Sequence, residues 1–431
     1  MIENKKIIMF GASEKNYAEQ IMKKYDGQII YCIDNDTKKH NTKYKDKYTI
    51  YPVEKILGEE KGTYIVVTTA VYYFNKMAAQ LISMGLEKNI DFVFAGDILD
   101  TDSLKKCWEK NRVSTNINKE PELRILHLEY SGACNLKCTY CPIHGEYASY
   151  TYNKGLLDFD TLKIIVDKCK KNKSIESLNL CGHGEIFLNP NWYEFTDYIL
   201  NEMSIKEVII YTNGMLLTVE NAQKLSLLKK HGVKLDLTIS IDGSTPEENN
   251  VFRKNSDYIT IKNNIYNALE YINKEDVSIA NAFLSDEETL KMFDYDVSFY
   301  TSVPEFILKD FPTTKASSRP IFNRTPDKKI TLSGKERNSS IVKCQYVSSL
   351  CDFLFHSLAI DCKGKILKCS CTNTSTPFIG DVFNDDPVDV FYNNVEMTKA
   401  RNMAREKKVP DFCRFCTDNP SKQYFILTKK D

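Results

Sequence analysis

The sequence predicts an α/β protein in three successive parts: a small parallel sheet, an α/β barrel, and a cysteine-rich C-terminal segment. Three observations predict it. Within residues 1–100, continuous apolar runs alternate with amphipathic helical stripes, as buried parallel strands and their crossover helices do. Residues 123–316 repeat strand, helix, strand, helix, with Gly-, Ser- and Cys-bearing turns at the strand C-terminal ends, which is the grammar of an α/β barrel. Half of the 14 cysteines follow residue 340.

The N-terminal part opens with a strand over Lys6–Phe10 that enters Gly11-Ala12-Ser13. A helical stripe follows at Tyr17, Ile21, Met22 and Tyr25, then a strand over Ile29–Asp34. Tyr64–Thr69 is a third strand, Phe74–Met84 a helix ending at Gly85, and Asp91–Phe94 the last strand. This order reads as a small sheet of Rossmann type over residues 1–100. Gly11 supplies the first glycine of a dinucleotide fingerprint, but Ser13 and Asn16 stand at the second and third, and Asp34 lies at the distance of a ribose contact. Nucleotide binding and a scaffolding or oligomerisation role both stay open. The basic run Thr37–Lys47 reads as a solvated loop, and residues 101–122 as a linker.

The alternating run Leu126-His127-Leu128-Glu129-Tyr130 is the next strand, and Cys134, Cys138 and Cys141 follow it as CX3CX2C. At this composition a fixed three-cysteine pattern arises by chance about 0.015 times per chain, against about 0.45 for a lone CxxC. Three thiolates so close can hold three corners of a [4Fe–4S] cluster, and a cubane takes four ligands. The fourth iron then keeps an open position, the mark of a catalytic metal site.

With this tripod, residues 123 to about 305 resemble the core of the radical S-adenosylmethionine (radical SAM) enzymes. The resemblance implies that the open iron is chelated by the methionine moiety of SAM. It also implies that reductive cleavage gives a 5′-deoxyadenosyl radical, and that Tyr140 lies near the adenine. Further motifs come in the family's order. Leu178–Cys181 reads as a short buried strand running into Gly182-His183-Gly184-Glu185, where the glycines admit close approach of a ligand. The family holds the methionine amino group there, which points to Gly182, Gly184 and Glu185. His183 between the glycines and Ile186 in place of a usual proline are departures. Val208–Asn213 and Leu235–Gly243 are further strands with their turns, and the resemblance gives Ser240 and Arg253 to the ribose and carboxylate of SAM. Arg suits a carboxylate because its planar fork binds both oxygens. A solvated residue at a helix start is the plainer reading of Arg253.

Helical stripes separate these strands: Leu162, Ile165, Val166 and Cys169; Thr218 to Gly232 with an N-cap and a terminal glycine; and Ile261, Ile265, Leu269 and Ile272. Cys169 thereby reads as core. In this family the barrel is partial, (β/α)6, and Val277–Phe283 is expected as its sixth strand. Residues 317–340 read as a second linker.

In the C-terminal segment, Cys351 is followed by twelve residues, Gly364, four residues and Cys369, with a hairpin turning at Lys363-Gly364 and a CxxC at Cys413 and Cys416. This resembles the auxiliary-cluster domain called SPASM in its full form and twitch in its short form. The short form is expected over residues 341–431. It implies one auxiliary [4Fe–4S] cluster on Cys351, Cys369, Cys413 and Cys416, with Cys344 and Cys371 as rival ligands. A zinc ribbon is the alternative, since four thiolates also suit zinc. Cys362 reads as a spare thiol. Cys32 and Cys181 read as strand residues, with a hydrogen-donor role conceivable for Cys181, and Cys107 has no partner spacing.

Lys plus Arg equals Asp plus Glu, 58 each, so no net field favours nucleic acid or a membrane surface. The N-terminus reads as neither signal peptide nor membrane span, and many cysteines without a secretory signal suit a cytoplasmic protein with iron–sulfur ligands. The resulting expectation is a radical SAM oxidoreductase or epimerase served by a flavodoxin or ferredoxin. Its expected substrate is a small molecule, a sugar or nucleotide sugar of surface-polysaccharide metabolism. The alternatives are a maturase of a ribosomally made peptide and, from another class, a non-catalytic iron–sulfur electron-transfer or binding subunit.

Overall fold

A computed structural model describes residues 2, 5–13, 17–69, 74–99, 120–148, 154–284, 303–312, 314–321, 330–332, 335–336, 338–343, 351–370, 378–406, 408–413 and 423–428. The chain divides into two compact units, residues 1–113 with 291–319, and residues 114–290 with 320–431.

In the first unit, β1 (Lys6–Phe10), β2 (Ile29–Ile33), β3 (Lys43–Tyr44), β4 (Tyr48–Tyr51), β5 (Tyr64–Thr68) and β6 (Phe92–Phe94) form one sheet in the order β3-β4-β2-β1-β5-β6. All pairings are parallel except β3 with β4. The four expected strands form, as do helices over Ala18–Tyr25 and Phe74–Ser83. The β3–β4 hairpin is a correction, because it lies where a solvated loop was expected. Its turn is made by Lys45 and Asp46, both left-handed at φ 51° and 56°. Neither announces such a turn as Asn-Gly would, yet Tyr44 and Tyr48 on either side are buried. Residues 291–319, the last part of the range read as barrel (to 316) with the start of the linker, fall in this unit by contacts, where the helix Glu305–Asp310 packs on Phe74–Ser83.

In the second unit β7 (Ile125–Leu128), β8 (Ser177–Leu180), β9 (Glu207–Thr212), β10 (Lys234–Ser240) and β11 (Val277–Phe283) lie side by side in chain order, all parallel. Strand alternation turns Leu126, Leu128 and Tyr130 to one face, where Tyr130 meets Phe195 of the helix Trp192–Glu202 edge-on at 5.8 Å. His127 and Glu129 take the opposite face. The intervening helices follow their signals. Asp158, Thr218 and Asp257 each cap a helix start with the side chain, and Gly232 (φ 72°) closes the end after Val219–Leu227.

Two expectations change here. The segment read as a linker over 317–340 contains much of β12 (Lys315–Pro320), the short hairpin of β13 (Thr331–Leu332) with β14 (Lys335–Glu336), and the start of β15 (Asn338–Lys343). The cysteine-rich segment is not a body apart either. Its β16 (Ser357–Ile360) pairs in parallel with β7, and β17 (Lys365–Leu367) and β18 (Phe378–Asp381) extend the same sheet antiparallel, while β19 (Gln423–Thr428) pairs with β15. Val277–Phe283 is therefore the fifth parallel strand in chain order. The sixth, β16, comes from beyond residue 350 and joins at the opposite side, which no local pattern signals.

Candidate active site

The expected site residues gather at the C-terminal ends of β7, β8 and β10. Cys134, Cys138 and Cys141 lie in one loop after β7, all half-buried and in no disulfide. The loop is pinned from outside: Lys137 N–H donates to Lys254 O and Thr139 N–H to Phe252 O, both at 2.9 Å. Within it, Leu136 N–H donates to Cys134 Sγ (3.4 Å) and His144 N–H to Cys141 Sγ (3.3 Å). Such N–H···S contacts tune a cluster's potential. Gly145 closes the loop, where a Cβ would stand 2.5 Å from Cys138 O and 2.6 Å from Cys141 O. Burial pushes the Cys138 thiol up to about 12, with Arg253 opposing, and raises Cys134 as well. Buried neutral thiols become thiolate ligands when metal displaces the proton.

After β8, the turn lies against the tripod loop. Glu185 N–H donates to Ala133 O (2.8 Å), and a Cβ on Gly184 would stand 2.2 Å from Ser131 O and 2.3 Å from Ala133 O. Backbone atoms cannot give way, so only glycine fits. The Glu185 carboxylate is buried and largely occupied by the protein. It accepts from Thr212 Oγ1 (2.7 Å), Asn213 N–H (2.8 Å) and, at 3.4 Å, Phe187 N–H. Burial raises its pKa, opposed first by the Asn213 N–H. Asn213 in turn donates to Asn135 Oδ1 (2.7 Å), joining the end of β9 to the tripod.

At the end of β10, Ser240 is half-buried, and Arg253 follows the helix Pro246–Phe252. Arg253 is buried against Asp242, Nη1 to Oδ2 at 2.9 Å. The Tyr140 hydroxyl donates to the same oxygen, and Arg253 Nη1 reaches Tyr140 Oη at 3.4 Å. Ala282 N–H fills Asp242 Oδ1 (3.0 Å). Burial opposes the Arg253 charge, but Cys138, Asp242 and Tyr140 hold its pKa well above the usual value. Arg253 Nε is buried without a hydrogen-bond partner, an opening for a ligand acceptor.

Sequence reading missed Asp242, and took Asn213 only as part of the Thr212-Asn213-Gly214 turn that ends its strand. The signal for Asp242 was a carboxylate two residues past the end of an alternating strand and eleven residues before an arginine.

Among the described residues, no three His, Cys, Asp or Glu side chains converge on a single metal ion. A cubane asks for something else, since each thiolate binds a separate corner. Three sulfurs in one loop, two of them receiving N–H groups, fit that demand.

Of the auxiliary ligands, Cys351, Cys369 and Cys413 are described, while Cys344, Cys371 and Cys416 lie outside the described residues. Cys351 and Phe412 border one apolar cluster around Leu354, Phe355 and Met397. Lys368, beside Cys369, pairs with Glu396 of the same helix as Met397 (2.8 Å). The Asp361–Leu367 hairpin turns at Gly364 (φ 76°) as expected. In the first unit, Asp34 is engaged on both oxygens, Oδ2 by Ala12 N–H (3.0 Å) and Lys39 Nζ (2.9 Å) and Oδ1 by Asp36 N–H (2.9 Å).

Residues 128–299 match the model of the Radical SAM superfamily. Over 125 residues the chain is 31% identical to the antilisterial bacteriocin subtilosin biosynthesis protein AlbA of Bacillus subtilis, covering 29% of this chain and 25% of that protein. Over 127 residues it is 28% identical to GTP 3′,8-cyclase of Aquifex aeolicus, covering 30% of this chain and 38% of that enzyme. The chain thus spans between a quarter and two-fifths of these relatives' length. Among solved structures, Streptococcus suis SuiB bound to S-adenosylmethionine aligns with a TM-score of 0.44 at 14% identity, covering 77% of this chain and 79% of that one. The cofactors of the radical SAM domain are S-adenosylmethionine and a [4Fe–4S] cluster. No helix among the described residues is long and apolar enough to cross a membrane.

Proposed function

We propose that this radical SAM chain removes a hydrogen atom from a substrate carbon, with a peptide as the substrate class. When bound, the cluster and SAM supply a 5′-deoxyadenosyl radical for that step. Cys134, Cys138 and Cys141 hold three irons, and the Gly182–Glu185 turn cradles the methionine end of SAM. In this reading Glu185 acts chiefly by fixing the turn to Thr212 and Asn213, since those groups fill its acceptors. Arg253, oriented by Asp242 and Tyr140, offers its remaining N–H groups to the carboxylate, and Ser240 lies toward the ribose. A short auxiliary domain holding a second [4Fe–4S] cluster on Cys351, Cys369, Cys413 and Cys416 passes electrons, with a flavodoxin or ferredoxin as external donor.

The observation that carries the reading is the convergence of the tripod loop, the Gly184 turn and the Arg253 pair at the C-terminal ends of β7, β8 and β10 of one parallel sheet. The similarity to a bacteriocin biosynthesis protein supports a peptide. The nucleotide-sugar reading keeps support from the first unit, whose parallel strands run 3-2-1-4-5 as in a Rossmann-type sheet. Asp34 being engaged internally weighs against it.

The test is 5′-deoxyadenosine yield from anaerobically reconstituted protein with SAM and reductant, against panels of peptides and nucleotide sugars. The wild type should form it, and Cys138→Ala should not. Product from Cys138→Ala, or none from the wild type with its iron intact, would sink the radical assignment. Stimulation by a sugar rather than a peptide would transfer the substrate class to the second reading.

A further inference from the structure

Beside the SAM turn, on the face of the sheet turned away from Tyr130 and Phe195, stands a group of acidic and imidazole side chains with no place in the chemistry above. Glu129 follows β7 and Asp361 follows β16. The parallel register that sets Leu128 against Ile360, with Glu129 N–H donating to Ile360 O (3.1 Å), makes the two carboxylates lateral neighbours. Like charges directly opposite across strands are destabilising, and these are 4% and 1% exposed. Each has one oxygen satisfied. Glu129 Oε2 accepts from His183 N–H (2.6 Å) and contacts His183 Nδ1 (3.2 Å), and Asp361 Oδ1 accepts from Lys363 and Lys365 N–H (both 2.8 Å). The other oxygens, Glu129 Oε1 and Asp361 Oδ2, are buried without a hydrogen-bond partner.

Two imidazoles add to the set. His144, just past the tripod and within the field of Glu129, has a buried, unpartnered Nε2. His127, one layer deeper on the same face, has the same, with Nδ1 at 3.4 Å from Cys181 Sγ. The Cys362 thiol is fully buried and feels both carboxylates. Buried polar atoms are normally satisfied, and a neutral imidazole nitrogen or a carboxylate oxygen can accept. The complement is a compact, donor-rich cation. Among the described residues no three side chains suit a single metal ion.

We propose that Glu129 and Asp361 form a subsite for a cationic amino or guanidino group of the substrate, placed beside the SAM turn by the Glu129–His183 contacts. This rests on the radical SAM reading and narrows its substrate class. A lysine or arginine side chain of a peptide and an amino sugar share this chemistry.

The test is calorimetric binding to the SAM-loaded holoprotein of four probes: a lysine peptide, its Nε-acetylated form, glucosamine and glucose. The charged member of one pair should bind, and its uncharged counterpart should bind about ten- to a hundredfold more weakly, as for a lost charged hydrogen bond. Whichever pair responds names the source of the cation. Glu129→Gln and Asp361→Asn should each weaken the charged probe by a similar factor. Equal binding of charged and uncharged probes would overturn the subsite. So would Glu129→Gln and Asp361→Asn variants that gain thermal stability from relieved repulsion yet leave probe affinity unchanged. Deoxyadenosine yield measured on the same wild-type sample separates the two failures. Radical product without charge-selective binding rejects the subsite alone, and charge-selective binding without radical product rejects the radical reading alone.

Discussion

Asp242 is the side chain that joins Arg253 and Tyr140 in the candidate site. One oxygen takes both the Arg253 guanidinium and the Tyr140 hydroxyl, and the other takes a backbone N–H. Removing one partner of a buried pair strands the other charge, so Asp242→Asn should cost about 3 kcal/mol of stability, read by chemical denaturation. SAM affinity should fall with it while cluster iron stays, because no cysteine is touched. His127 gives a pH signature. Burial holds its imidazole down to about 4, below the ordinary 6.5. The folded protein then binds fewer protons than the unfolded chain between those values. The stabilisation is present above pH 6.5 and is lost as pH falls toward 4, by up to about 3 kcal/mol. His127→Gln should flatten the unfolding midpoint over that window, and an unchanged slope would contradict the burial argument.

Among elements, what was legible followed from local physics. The strands Lys6–Phe10 and Val277–Phe283 form where continuous or alternating apolar runs demand burial, and Thr218 and Gly232 bound their helical segment as cap chemistry requires. The tripod and the Gly182–Glu185 turn could be singled out because their residue types suit cluster and cofactor chemistry. What stayed hidden depends on partners distant in sequence. The Lys45-Asp46 turn relies on tyrosine burial to hold two left-handed residues. The Asp242–Arg253 pair needs two elements to meet. The Glu129–Asp361 pair needs a register between strands more than two hundred residues apart. The β16–β17 hairpin was visible through Gly364, and it also carries a prediction. Gly364 is left-handed, and a Cβ there would meet Val382 Cγ2 at 2.6 Å. Gly364→Ala should therefore destabilise by about 2 kcal/mol, from the left-handed penalty and overpacking together, measured by denaturant titration. A neutral result would mean that the turn relaxes freely.

For the whole molecule, the continuous sheet from β11 to β18 means that the cysteine-rich segment and the strands that carry the tripod loop and the Gly184 turn stand or fall together as a framework. The metal inventories should still separate. Cys413→Ala should remove about four irons, as a cubane is lost with its ligand, while SAM binding persists. Zinc in place of those irons in the wild type would replace the auxiliary cluster with a structural ribbon.

The β7–β16 pairing sets a timetable for synthesis. The strand that precedes the tripod leaves the ribosome with one edge open, and the chain that covers it is made more than two hundred residues later. At ordinary elongation rates that interval is roughly ten to fifty seconds, during which an unpaired parallel edge is exposed to other nascent chains. The strand β7 must therefore wait for nearly the whole polypeptide, and the cell must shelter it until then.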